Sequence, residues 1–434
     1  MSEPDSQSLP PETLHPETLH PETLPFETLP PETLPFETLH PETLTIIAGR
    51  SSNGRSLAAP IWPTTVWETP SLDDARRRSG STRPAEFYGR YANPTVNAFE
   101  QAIATLEGAE AAMAFGSGMG AIATVIFALC SPGDHIVAQQ QLYSGTQLFL
   151  QGPCARMGID VTWVDGSAPG AFAAAVRPGK TMLVIAETPA NPQMSLVDLE
   201  ELGAIRGPFT MVDSTFATPI LQQPLRHGVS LVVHSATKGI AGHNDAMLGV
   251  VAGEKDLIDD IWRYGVLHGA TASPHDAHNG LRGIRTLAVR VERASATALR
   301  LASFLGDHPA VAQTNYPGLH SHPQYDLAKR QMSDGGTVLS FDLAGGLGAG
   351  RRFVEAVRLA RLATSLGGPE TLVCSPANST HVGLTAEEFE RVGITPGLVR
   401  VSVGLEHPDD LLADFARALA AVSKDVSGRV ATGD

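Results

Sequence analysis

The chain has 434 residues, 42% of them hydrophobic and 18% charged, a length for two or three domains with enough apolar content for a large core. Its formal charge is -15, and nothing gives it a basic footprint for nucleic acid or an anionic membrane. Cys130, Cys154 and Cys374 lie far apart and form no C-x-x-C pair, which speaks against a disulfide framework or a zinc site and suits a reducing, cytoplasmic compartment.

Residues 1–44 hold nine acidic side chains and no Lys or Arg, so the rest of the chain is only modestly acidic. Within them a five-residue unit, P-E-T-L-H or a close variant, brings Glu-Thr-Leu back seven times between Glu12 and Leu44. Proline in almost every unit opposes a continuous helix or a sheet ladder. A period of five also matches no buried face, so residues 1–44 are expected to be a disordered tail, an inert extension rather than a partner-binding tag. No basic n-region or apolar h-region precedes it, and no signal peptide is expected.

Residues 45–92 are expected to form an N-terminal arm. Ala111–Gly133 contains no charged residue and approaches the ~20 residues of a membrane span. Its glycines at Gly116, Gly118 and Gly120 and its Ser131-Pro132-Gly133 end fit a short strand, a turn and a buried helix better. Apolar runs that read as buried parallel strands follow at His135–Ala138, Met182–Ala186, Phe209–Val212, Leu231–Val233 and Gly249–Ala252. Helical stretches stand between or before them at Val96–Leu106, Gly145–Arg156 and Val197–Ile205. Alternation of this kind predicts an α/β fold with a mostly parallel sheet over residues 93–288. A long helix at Val291–Leu305 then opens a smaller α+β domain, residues 289–434.

Chemistry in such sheets gathers where the strands end, and Glu187, Asp213 and Ser235 fall there. Lysines are few, and Lys238 differs from the rest by closing a hydrophobic strand through Ser235-Ala236-Thr237. A desolvated amine at that point has a lowered pKa and can act as a nucleophile toward a carbonyl, while Ser235 and Thr237 can donate to a phosphate. A structural lysine at a strand end is the alternative. Asp213 ends the preceding run and could pair with a pyridinium nitrogen, or simply cap a turn. Gly116-Ser117-Gly118-Met119-Gly120 leads into a helix whose first amides suit an anion. Tyr88-Gly89-Arg90 offers a guanidinium fork.

In order along the chain, Tyr88-Gly89-Arg90, Ser117-Gly118-Met119, Leu142-Tyr143, Glu187-Thr188-Pro189-Ala190-Asn191-Pro192, Asp213-Ser214-Thr215, Ser235-Ala236-Thr237-Lys238, Ser365-Leu366-Gly367-Gly368 and Val399-Arg400-Val401-Ser402 form one pattern. With it, residues 42–419 resemble the Cys/Met-metabolism family of pyridoxal-phosphate enzymes. The overall likeness is strongest to its methionine γ-lyase branch, notably at Ser273-Pro274-His275-Asp276-Ala277 and Tyr316-Pro317-Gly318-Leu319.

The resemblance implies a fold-type I enzyme, a tetramer of two tight dimers, that binds pyridoxal 5'-phosphate. Lys238 would hold the cofactor and shuttle protons, Asp213 would pair with its pyridine nitrogen, and Tyr143 would stack on its ring and assist the leaving group. Gly118, Met119, Ser235 and Thr237 would hold the phosphate, joined by Tyr88 and Arg90 of the neighbouring subunit. Arg400, with Ser365 and Asn191, would bind the substrate carboxylate.

Three departures concern specificity. Methionine γ-lyases carry a cysteine where Gly145 stands, and a Lys-Asp pair absent from the segment Tyr264–Ser273. Cystathionine enzymes carry a glutamate where Thr364 stands. The expected activity is γ-elimination on a sulfur amino acid giving a 2-oxo acid, ammonia and a thiol. Its alternatives are γ-replacement on O-acetyl- or O-succinylhomoserine and, more remotely, cofactor binding without turnover.

Overall fold

Seven strands form the larger sheet: β1 (Ala111–Phe115), β2 (His135–Gln139), β3 (Asp160–Val164), β4 (Thr181–Glu187), β5 (Phe209–Asp213), β6 (Leu231–His234) and β7 (Gly249–Gly253). The computed structural model describes residues 39–51, 53–84, 86–379, 389 and 393–430, and counts refer to these. The order across the sheet is β1-β7-β6-β5-β4-β2-β3. From β3 to β6 every pairing is parallel. Strands β2, β4, β5, β6 and β7 read as near-continuous apolar runs because helices cover both faces of this sheet, with one buried cluster on one face and two on the other.

The run at Gly249–Ala252, read from sequence as one more parallel strand, is antiparallel to both of its neighbours, β1 and β6. Composition could not show this, since a buried strand is equally apolar in either direction. Strand β3, at the sheet edge and only partly buried, has Asp160, Thr162 and Trp163 in place of an aliphatic run and was not expected.

Local sequence accounts for the helix ends. Helix Pro94–Glu107 starts with proline in its first turn behind Asn93, whose side chain accepts from the Thr95 amide, and ends at Gly108 with φ +67°. Ala111–Gly133 resolves into β1, a Ser117-capped helix Gly118–Leu129 and a turn. Among the described residues no helix is long and apolar enough to cross a membrane. The helix expected over Gly145–Arg156 runs as Ser144–Phe149 followed by a wider π-turn, Leu150–Cys154, around Pro153. The one expected over Val197–Ile205 is shorter, Leu199–Gly203, and is capped by Asp198.

The smaller sheet comprises β8 (Val311–Asn315), β9 (Val338–Leu343), β10 (Arg361–Leu362), β11 (Leu372–Cys374) and β12 (Leu398–Ser402), ordered β10-β11-β12-β9-β8 and largely antiparallel. The helix Leu287–Gly306 links the two sheets, and it starts before the expected Val291. Its Leu287 and Val291 pack into the large-sheet cluster, whereas Leu301 and Leu305 pack into the small-sheet cluster. The expected boundary between 288 and 289 therefore falls inside its first turn, and the described residues from Leu39 onward form one compact unit.

The tail expected over 1–44 lies outside the described residues up to 38. Its last repeat unit is folded: Pro41–Ile47 is a helix with Leu44 and Thr45 buried. Pro41 fits there because the first helical position needs no N–H partner. Arg285 Nη1 secures the helix end by donating to the Thr45 and Ala48 carbonyls at 2.9 and 2.8 Å.

Candidate active site

Strands β4, β5 and β6 end at one edge in Glu187, Asp213 and His234, and Glu187 is the register partner of Asp213. The turn after β6 closes with the Lys238 amide donating to the Ser235 carbonyl at 3.0 Å. It is tied to the turn after β5 by the Ser235 amide donating to Thr215 Oγ at 2.8 Å. Above it lies a cavity of about 330 Å³ lined by every expected site residue except Tyr88 and Arg90.

One wall offers anion donors. The start of helix Gly118–Leu129 is pressed against Ser235, so that a Cβ at Gly118 would stand 2.9 Å from Ser235 Cβ. Only glycine allows that approach. It brings the first-turn amides of Gly118 and Met119 beside the Ser235 hydroxyl, where helix amides favour negative charge. Thr237 is on the same wall, but its hydroxyl donates to the Leu248 carbonyl at 3.1 Å and accepts from the Leu248 amide at 2.8 Å. Both bonds tie the Thr237 hydroxyl to the backbone of Leu248 at the rim of this wall.

Lys238 Nζ donates to Ser365 Oγ at 2.7 Å. Burial lowers its pKa, and the positive charge of Arg400 lowers it further. Ser365 has φ +79°, in the left-handed region. Its carbonyl accepts from Arg400 Nη2 at 2.9 Å. Arg400, on β12 and 4% exposed, also donates through Nη1 to Asn191 Oδ1 at 3.1 Å. One serine thus joins the amine to the guanidinium.

Asp213 accepts from the Thr215 amide at 3.0 Å. Burial pushes its carboxyl above the usual range, against the pull of its Thr215 hydrogen bonds. Glu187 is pushed up to about 8, first by burial and then by the charge of Asp213. Its carboxyl accepts from the Tyr143 amide at 2.6 Å and the Asn191 amide at 2.9 Å. Sequence reasoning gave Glu187 no role, although an acid closing a buried strand was the available signal. The Tyr143 ring is partly exposed at the cavity.

Tyr88 and Arg90 do not reach this cavity. Arg90 donates to the Val266 carbonyl and lies 5.4 and 5.0 Å from the ring centres of Tyr88 and Tyr91. Tyr88 itself is 41% exposed. In this chain Arg90 is half-buried against the helix Lys255–His268.

Residues 42–420 match the family described as Cys/Met metabolism PLP-dependent enzyme. The chain is 43% identical over 374 residues to an L-methionine gamma-lyase of Pseudomonas putida, covering 85% of this chain and 94% of that one. It is 43% identical to an O-succinylhomoserine sulfhydrylase of Pseudomonas aeruginosa, covering 80% and 87%. A solved cystathionine gamma synthase of Xanthomonas oryzae pv. oryzae, in complex with aminoacrylate and cysteine, superposes with a TM-score of 0.84 at 35% identity, over 89% of this chain and 99% of that one. Agreement of this extent in sequence and in fold makes the chain a member of the Cys/Met metabolism family of pyridoxal-phosphate-dependent enzymes.

Proposed function

We propose that the protein catalyses γ-elimination on a sulfur-containing amino acid of the methionine, cystathionine or homocysteine type. With one water consumed, the products are a 2-oxo acid, ammonia and a thiol. The observation that carries this reading is the contact chain Lys238–Ser365–Arg400, in a protein 43% identical to an L-methionine gamma-lyase. It joins a desolvated amine to a buried guanidinium across one cavity wall.

The donor set fits pyridoxal 5'-phosphate. The close contact of Gly118 with Ser235 supports a phosphate cradle of the Gly118 and Met119 amides and the Ser235 hydroxyl, with Thr237 beside them. The buried Asp213 carboxyl suits a protonated ring nitrogen. When bound, the cofactor supplies an electron sink for the charge left as the α-proton departs.

Lys238 Nζ would hold the cofactor, take the proton from the substrate α-carbon and return protons at the β and γ positions. Its lowered pKa supports a neutral amine able to do so. Arg400, with Asn191 and Ser365, would take the substrate carboxylate through a planar fork. Tyr143 would cover the cofactor ring and assist departure of the γ-substituent.

Tyr88 and Arg90 would serve the cavity of a neighbouring subunit in a dimer of dimers. The exposed Trp62, Val66, Tyr88 and Leu267 are apolar side chains that such a contact would cover. Three buried free cysteines support a cytoplasmic setting.

γ-Replacement on a homoserine ester is the second reading, favoured by the equal identity to an O-succinylhomoserine sulfhydrylase. Incubation with methionine, and with O-succinylhomoserine in the presence and absence of a thiol, separates the two. Release of 2-oxobutanoate and methanethiol from methionine is expected. Thioether formation from the ester, with no 2-oxobutanoate from any thioether substrate, would replace elimination by replacement.

A further inference from the structure

We infer that Glu187 is a positioning residue whose single carboxyl group aligns the Tyr143 turn and, through Asn191, the guanidinium of Arg400. The inference rests on the reading that Tyr143 covers the cofactor and that Arg400 takes the substrate carboxylate.

Glu187 ends β4 at the cavity wall and is 4% exposed. One oxygen accepts from the Tyr143 amide at 2.6 Å, the other from the Asn191 amide at 2.9 Å. Tyr143 precedes the helix Ser144–Phe149 and supplies no side-chain cap to it. Tyr143 is 44% exposed, and its backbone bond to Glu187 ties this turn to the end of β4, alongside the Gln147 side chain that donates to the Gln140 carbonyl. On the other side, Asn191 Oδ1 accepts from Arg400 Nη1 at 3.1 Å. Two groups that must address one substrate from different parts of the chain are thereby referred to the same point.

The location makes a purely passive role a poor explanation. Glu187 is buried as the direct register partner of a second acid, Asp213, and both burial and that neighbour penalise its charge. Any apolar residue would end a buried strand at lower cost. What an apolar residue lacks is two acceptors able to bind two divergent N–H groups.

Glu187→Gln keeps the size but turns a donor toward one of those amides, so one contact is lost. Holoenzyme of this variant is expected to show about a tenfold rise in KM for methionine and a comparable fall in kcat, the scale set by one lost buried hydrogen bond. The induced circular dichroism of the bound cofactor should weaken as the Tyr143 turn shifts. Glu187→Asp, with both acceptors kept, should recover part of each loss, and it carries the test if Glu187→Gln fails to fold. A variant with lowered melting temperature but unchanged KM and dichroism would make Glu187 structural only and overturn the inference. Wild-type protein that fails to take up pyridoxal 5'-phosphate would instead overturn the functional reading, and the inference with it.

Discussion

Lys238 Nζ and Ser365 Oγ stand 2.7 Å apart across 127 positions of sequence. The serine is held at φ +79°, a conformation that costs on the order of 1–3 kcal/mol for a non-glycine residue. That strain is maintained where the loop between β10 and β11 meets the turn after β6, so the Lys238 amine is held in part from the smaller sheet's side of the molecule. Deprotonation is favoured there by burial and by the nearby Arg400.

Borohydride reduction of the holoenzyme should therefore fix the cofactor on Lys238, as peptide mapping would reveal. Lys238→Ala should still bind cofactor weakly through the phosphate cradle but lose turnover by at least about a thousandfold. Reduced cofactor on another lysine would refute the assignment.

Gly118→Ala tests the cradle. Its Cβ would stand 2.9 Å from Ser235 Cβ and 3.1 Å from Ser235 Cα, and relieving an overpacked contact costs roughly 1–3 kcal/mol. Separation of the helix start from the Ser235 turn should weaken cofactor affinity about tenfold or more in equilibrium dialysis. Unchanged affinity would show that the two segments do not share one anion.

The pH dependence of stability follows from Glu187, whose pKa moves from 4.5 to about 8 on folding. Between those values the folded chain keeps a proton that the unfolded chain releases. The contribution is complete below 4.5 and is lost as pH rises toward about 8. Melting curves of cofactor-free protein from about pH 5 to about pH 8 should fall more steeply for wild type than for Glu187→Gln. Equal slopes would remove Glu187 as the source.

Arg90 should act across a subunit contact, because it does not line its own chain's cavity. In mixed dimers of Arg90→Ala and Lys238→Ala subunits, one site would collect both lesions and the other neither. About half of wild-type activity per heterodimer should return. No recovery in verified heterodimers would assign Arg90 to its own subunit's site.

Removal of residues 1–38 should leave melting temperature and turnover unchanged, whereas Leu44→Ala should cost about 2 kcal/mol, the low end for a buried leucine. Leu44 is 6% exposed and packs into the large-sheet cluster. Thermal denaturation of both proteins distinguishes tail from body.

Much of the site was legible because its signals are local. Apolar runs mark β4, β5 and β6, and in a parallel sheet the residues just after such runs share one edge, so Asp213 and Lys238 could be paired before any coordinates. The glycines before helix Gly118–Leu129 and the cap Ser117 likewise declare themselves within a few residues. The repeat misled at its end, since Pro41 opens a helix as readily as it breaks one and only contact with the core makes Leu44 part of the body.

Sequence by itself determined the buried strand runs of the larger sheet, the layered α/β class and the chemistry-bearing side chains at strand ends, for these depend on burial periodicity and on residue type. Tertiary structure decided which strands pair and what reaches across them. It made β7 antiparallel, bound the Thr237 hydroxyl to Leu248, held Ser365 at positive φ against Lys238, and set Glu187 between Tyr143 and Asn191. Each of these is a hydrogen bond or a backbone state imposed by a partner distant in sequence. No local preference encodes such a partner, because its position exists only once the sheets have packed.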